Sequence, residues 1–196
     1  MHFINKLTEQ ATFAESMVCV GIDPDPALLP EHLSDRQFSV YEFNRAIIES
    51  TADLVCSYKF NSAFFEALGG KGIASLQQSR ACVPPRVPVI LDVKRGDVSH
   101  SAQKYAEYAY DVINADAVTI NPYLGYDTVK PFLREGKCVF VLCLTSNPSA
   151  DDFQLLETGN GPLYLEVARA AKRWAMEGEV GLVVGATRPD LIGQIR

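Results

Sequence analysis

Between Val87 and Ala102 the chain reads VPVILDVKRGDVSHSA. An apolar run ends abruptly in Asp92, Lys94, Arg95 and Asp97. On an extended strand, residues two apart share a face, so Asp92 and Lys94 are expected side by side, with Asp97 just beyond in the loop. Lys59, at the end of another apolar run (SYKFN), is a fourth candidate for the same space. Two ammonium groups alternating with two carboxylates form a chain of charge-assisted hydrogen bonds that keeps every member ionised despite burial. Such an array is rigid, and a rigid array of fixed charges stabilises charge that develops in a transition state. A lone Asp or Lys at a strand end is ordinarily a solvated charge. Asp25 and Arg95 are read that way, and His100 is read as a helix-start residue. The joint DxKxxD spacing, with Lys59 supplied from elsewhere, makes the solvated reading weaker for the set.

Positioning these groups requires strands. Short apolar runs recur at Met17–Ile22, Val55–Phe60, Val87–Val93, Ala117–Ile120, Cys138–Leu144 and Gly181–Val184. Helical patterns lie between them, around Val40–Leu54, Ser62–Arg80, Ser101–Ile113, Thr128–Glu135 and Pro162–Glu177. Leu163, Val167, Ala170 or Ala171, and Trp174 mark the buried face of the last. Continuous apolar strands alternating with amphipathic helices specify a parallel sheet covered by helices. Polar groups follow each strand: Asp23, then Lys59, then DVKRGD, then Asn121, then Thr145 and Ser146, then Thr187 and Arg188. In parallel α/β folds the C-terminal strand ends build the active site. Ser101 is expected to cap the helix that follows it. The Pro-, Ser- and Asp-containing stretch Asn147–Gly161 is long for a βα loop and is a candidate lid.

Composition narrows the function. The chain has 196 residues, 47% hydrophobic and 21% charged, and reads as one globular domain over 1–196. A net charge of −6 argues against general nucleic-acid binding but leaves room for a small anionic ligand. The five cysteines form no CxxC pair and fit a reducing, cytoplasmic compartment; Cys19, Cys138 and Cys143 are expected to pack as small hydrophobes. The N-terminal segment reads as an amphipathic helix with Phe3, Ile4 and Leu7 on one side, and not as a signal peptide. No run approaches the roughly 18 apolar residues of a membrane span. No glycine-rich phosphate loop follows the first strand, and His2 and His32 are too isolated for metal spacing.

Taken in order, GIDPD, YKFNSAFFE, LDVKRGD, NPYLG, LCLTSNP and VVGAT resemble the orotidine 5′-monophosphate decarboxylase family, in its branch with a GxDPxP first strand. The resemblance runs along almost the whole chain. It implies a (β/α)8 TIM barrel, a homodimer with its site near the subunit interface, orotidine monophosphate as substrate, and neither metal nor organic cofactor. It also implies roles: Lys94 as the acid that protonates C6 of the pyrimidine, Asp92 beside the departing carboxylate, Lys59 between carboxylates and ribose, and Asp23 on the ribose hydroxyls. Asp97 is offered to the partner's site with Ser101 nearby, Ser146 reads the pyrimidine edge, and Asn121 and Thr187 complete the substrate-binding set.

About six of the eight βα units of such a barrel are expected in this chain, which lacks the last two strands and their phosphate-gripping segments. Truncation of a longer protein is the favoured reading. Two alternatives stand beside the decarboxylase. One is a magnesium-dependent phosphosugar decarboxylase or synthase on the same barrel, which Lys59 opposes because those relatives carry an acid there. The other is a non-catalytic shortened barrel.

Overall fold

The computed structural model describes residues 1–34, 39–187 and 189–195. The sheet strands are β1 (Cys19–Ile22), β2 (Ser57–Asn61), β3 (Val89–Arg95), β4 (Ala117–Ile120), β5 (Cys138–Leu144) and β8 (Glu179–Val184), ordered β1-β2-β3-β4-β5-β8. A two-residue pair, β6 (Glu157–Thr158) and β7 (Gly161–Pro162), forms a separate antiparallel ribbon. The helices are α1 (Phe3–Ala14), α2 (Glu31–Ser34), α3 (Ser39–Thr51), α4 (Ser62–Glu66), α5 (Gly69–Cys82), α6 (Ser99–Glu107), α7 (Tyr126–Val129), α8 (Leu163–Trp174) and α9 (Pro189–Ile195). The chain divides into two compact units, Met1–Val93 with Lys104–Val118, and Lys94–Gln103 with Thr119–Arg196.

In the first unit β1 pairs β2 and β2 pairs β3, both in parallel. Tyr58, Phe60, Phe65, Leu76, Val89 and Leu91 are fully buried, so one face of β2 and β3 is covered, while Lys59 and Ile90, paired on the other face, are half-buried. Tyr58 keeps its phenol satisfied by donating to the Ile48 carbonyl at 3.1 Å and sharing a 2.7 Å hydrogen bond with Thr51 on α3. The expected single helix over 62–80 is two helices, broken at Ala67 and Leu68 just before Gly69, which takes φ +64°. The two pack so closely that a Cβ on Gly72 would lie 1.9 Å from the Phe65 carbonyl oxygen.

On α1 the buried residues are Phe3 and Gln10, while Ile4 is half exposed. The expected Phe3–Ile4–Leu7 stripe is therefore rotated. Gln10 turns inward because its amide donates to the Val55 carbonyl at 2.9 Å. Asp116 binds α1, α5 and β3 together: it accepts from the Lys6 ammonium (2.8 Å) and the Val89 amide (2.8 Å) and lies 3.6 Å from the Arg80 guanidinium.

In the second unit β5 pairs β8 in parallel, and α8 packs on both. Cys143, Leu144 and Tyr164 form the buried centre, flanked by Leu165, Val167 and Leu182. Burial pushes the Cys143 thiol up to about 11, and burial beside Glu179 pushes Cys138 up to about 12. Both sulfurs act as small hydrophobes, but Cys19 is exposed, against expectation, because β1 is half solvent-facing. The long segment after β5 carries a short 3-10 turn (Pro148–Asp152) and the ribbon, and is tied to α8 by Leu163 and Tyr164 amides donating to Leu156 and Gln154 carbonyls.

Candidate active site

The first unit gathers three of the expected residues. In-register parallel pairing places Gly21 beside Lys59 and Asn61 beside Asp92, which brings the C-terminal ends of β1, β2 and β3 level. The Lys59 ammonium lies 3.2 Å from Asp92 Oδ2 and 3.8 Å from Asp23 Oδ1. The first distance is a charge-assisted hydrogen bond and the second an ion pair without one. Exposure rises outward, from 7% for the Asp92 side chain through 33% for Lys59 to 41% for Asp23. One carboxylate is thus held in the interior by an ammonium, and the other is turned toward solvent.

The DPDP segment fixes this local geometry. A residue before proline is pushed to extended backbone, and Asp25 is extended, with φ −99° and ψ 115°. Its carboxylate folds back onto the Ala27 amide at 2.9 Å, capping a short helical turn and leaving Asp23 as the acid facing Lys59. Asn61, which sequence reasoning overlooked, reaches Asp23 Oδ2 at 3.5 Å and also caps α4 by accepting from the Ala63 amide. Its signal was present: an Asn two residues beyond Lys59, directly before a helical pattern, is a good N-cap.

The second unit holds the other candidates. Lys94 is exposed and has φ +47°, the left-handed region, which costs a residue with a Cβ about 1–2 kcal/mol. This positive φ sets Lys94 apart from the regular extended backbone of β3. The Lys94 amide donates to Thr119 Oγ1 on β4 at 3.0 Å, and the Asn121 amide donates to the Arg95 carbonyl at 2.8 Å. A Cβ at Gly96 would sit 2.9 Å from the Asn121 carbonyl oxygen, so the turn after β3 needs glycine there. Asp97 is half-buried and accepts from the Val98 amide at 2.7 Å. Ser101 is exposed and is not a cap: α6 begins at Ser99, two residues earlier, where φ is +46°.

Asn121 Oδ1 accepts from the Tyr123 amide at 3.0 Å, shaping the turn after β4. A cavity of about 650 Å³ opens here, walled by Asn121, Tyr123, Cys143, Phe153, Gln154 and Tyr164. Gln154 was also overlooked. Its Oε1 accepts from the Thr145 amide at 2.7 Å and its Nε2 donates to Thr145 Oγ1 at 2.8 Å, so the segment expected as a lid is clamped to the end of β5. Nothing in a lone glutamine on a polar loop announces that role. Ser146 is exposed and closely approached by Gly185, where a Cβ would lie 3.0 Å from the Ser146 amide nitrogen. Thr187 is exposed; Arg188 lies outside the described residues. Among the described residues no group of three or more His, Cys, Asp or Glu side chains forms a metal site, and no helix is long and apolar enough to cross a membrane.

Comparison with known proteins gives one consistent result. A sequence model of the orotidine 5′-phosphate decarboxylase / HUMPS family matches residues 16–196. The orotidine 5′-phosphate decarboxylase of Herpetosiphon aurantiacus is 50% identical over 196 residues, covering 98% of this chain and 73% of its own. That of a Roseiflexus species is 46% identical, covering all of this chain and 73% of its own. Among solved structures, the Leishmania donovani OMP decarboxylase superposes with a TM-score of 0.90 at 41% identity, over all of this chain and 75% of that one. The chain thus spans about three quarters of the length of these relatives, and its mostly parallel six-stranded arrangement matches their TIM-barrel fold.

Proposed function

Because the chain belongs to the orotidine 5′-phosphate decarboxylase / HUMPS family, we propose that it is a carboxy-lyase of pyrimidine biosynthesis, converting orotidine 5′-monophosphate to uridine 5′-monophosphate and carbon dioxide. The observation that carries the reading to particular atoms is the Lys59 ammonium held 3.2 Å from the buried Asp92 carboxylate, on the strand that also carries Lys94. In this reading the bond from C6 to the substrate carboxylate breaks, its electron pair stays on C6, and carbon dioxide leaves. The Lys94 ammonium stabilises that pair and then gives C6 its proton; the resulting amine is reprotonated from water. Asp92 holds the charge pattern around the departing carboxylate, and Lys59, fixed by Asp92 and Asp23, is presented to the ribose.

Asp23, the more exposed acid, takes ribose hydroxyls. Asn121, Ser146 and Thr187, at the ends of β4, β5 and β8, serve the rest of the substrate. Asp97 and Ser101 serve the partner's site in a homodimer. The reaction belongs to a single, incomplete barrel domain over residues 1–196, working in the cytoplasm. It needs no metal, and the magnesium-dependent phosphosugar alternative is not favoured, since the relatives named above are decarboxylases.

The test is carbon dioxide release from orotidine monophosphate by the purified chain, with Lys94→Ala and a chelator alongside. Release that vanishes in the variant and is unmoved by the chelator is expected. Release undiminished in Lys94→Ala overturns Lys94 as the proton donor, and loss on chelation revives the magnesium-dependent reading.

A further inference from the structure

Four described residues other than glycine have positive φ: Glu15, Lys94, Ser99 and Asn114. Glu15 follows α1, Ser99 opens α6 and Asn114 follows the helical turn ending at Val112, so three of them start or stop helices. Lys94 stands inside a strand. A left-handed residue there swings the amide out of the regular ladder, and an amide turned aside in a partly buried place needs an acceptor elsewhere. It finds the hydroxyl of Thr119 at 3.0 Å. Thr119 is 4% exposed in the otherwise apolar strand AVTI, whose four residues are all buried. Packing alone asks for valine at such a position, which has the same shape without the oxygen. The ladder resumes at once, with the Asn121 amide on the Arg95 carbonyl. The hydroxyl therefore sits where the backbone of Lys94 needs an acceptor that the strand does not provide.

We infer that Thr119 is a positioning residue for Lys94: its hydroxyl holds the lysine's backbone in the left-handed conformation and so fixes where the ammonium is delivered. The consequence for catalysis rests on the proposed role of Lys94 as proton donor; the hold on Lys94 itself does not. Strained backbone at a working residue persists only where its surroundings over-determine it, and the Thr119 hydroxyl is one such hold on Lys94.

The experiment compares Thr119→Val, which removes only the oxygen, with Thr119→Ser, which keeps it, and with Thr119→Ala should the valine variant fail to fold. Two readouts do not depend on activity: hydrogen exchange of the Lys94 amide, and the titration of its Nζ in protein labelled with isotopic lysine. In the valine variant the amide should exchange at least about tenfold faster and the Lys94 titration should move while that of Lys59 stays, with serine restoring both. Unchanged exchange and titration at Lys94 overturn the inference whatever the activity. In turnover assays the valine variant should lose about tenfold or more in kcat with KM within about twofold, and serine should recover most of it. A loss that falls on thermal stability alone, or that serine does not rescue, reduces Thr119 to a packing residue. Full activity in Lys94→Ala would instead remove the catalytic consequence and leave the exchange and titration readouts to judge the hold.

Discussion

Replacing Lys59 by methionine keeps most of its stem and removes the charge that lies 3.2 Å from Asp92. At that separation the attraction is about 5 kcal/mol for an effective dielectric of 20, and about 1 kcal/mol in bulk water. The Asp92 side chain is 7% exposed and that of Lys59 33%, so the pair lies between these limits and is partly screened. After the desolvation that both groups have already undergone, the net coupling should be about 1–3 kcal/mol. Lys59→Met, Asp92→Asn and the double variant, unfolded in urea, form a cycle that isolates it. The double variant should be more stable than the sum of the single losses predicts, because the lysine variant alone takes a charged partner from a buried carboxylate. The coupling should survive at about 0.5 M salt, where the screening length falls to about 4 Å, since that is still longer than the pair. A coupling below about 0.5 kcal/mol, or one erased by salt, would refute the claim that Asp92 depends on this ammonium.

Gly72→Ala should cost about 3 kcal/mol in urea unfolding, because its new methyl would meet the Phe65 carbonyl oxygen at 1.9 Å and Leu68 Cβ at 2.7 Å, neither of which can swing away; a loss below about 1 kcal/mol would show that α4 and α5 separate easily. The buried Cys138 thiol titrates at about 12 in the folded chain against an ordinary value of 9.0. Its folded value is raised, so its contribution is fully present below about pH 9 and is lost as pH climbs toward 12, where the unfolded chain releases the proton first. Stability should therefore decline above about pH 9, and Cys138→Ala, though less stable at neutral pH, should show a shallower decline; an unchanged slope would assign the decline to other groups.

The apolar runs at 117–120 and 138–144 are strands with the expected bounds, because unbroken Val-, Ile- and Leu-rich segments have few alternatives to a buried parallel sheet. The pairing of Lys59 with Asp92 was also legible, since parallel register brings successive strand ends level. What was hidden is what depends on single torsions. Nothing in LDVKRGD announces a left-handed lysine. Ser101 is a good cap by type, but α6 already begins at Ser99, so Ser101 lies inside the helix. The helix over 62–80 breaks just before Gly69 because Gly72 needs the close approach to Phe65, a tertiary demand that local propensity does not carry. Gln154 and Asn61 act through partners distant in sequence or on another strand, and polar loop residues of that kind become readable only once the strands are assembled.

The Asp116 clasp carries a consequence for the chain as it is made. It joins Lys6 to a residue 110 positions later. At about 5–20 residues per second, the ribosome needs on the order of 5–20 s to reach Asp116 after making Lys6. Throughout that interval the first helix, with Phe3 on the face that is fully buried in the finished fold, can reach the Val55 carbonyl but lacks its carboxylate. The first helix is thus fully secured only once Asp116 has been made, and until then it is a part of the nascent protein that a chaperone would find waiting.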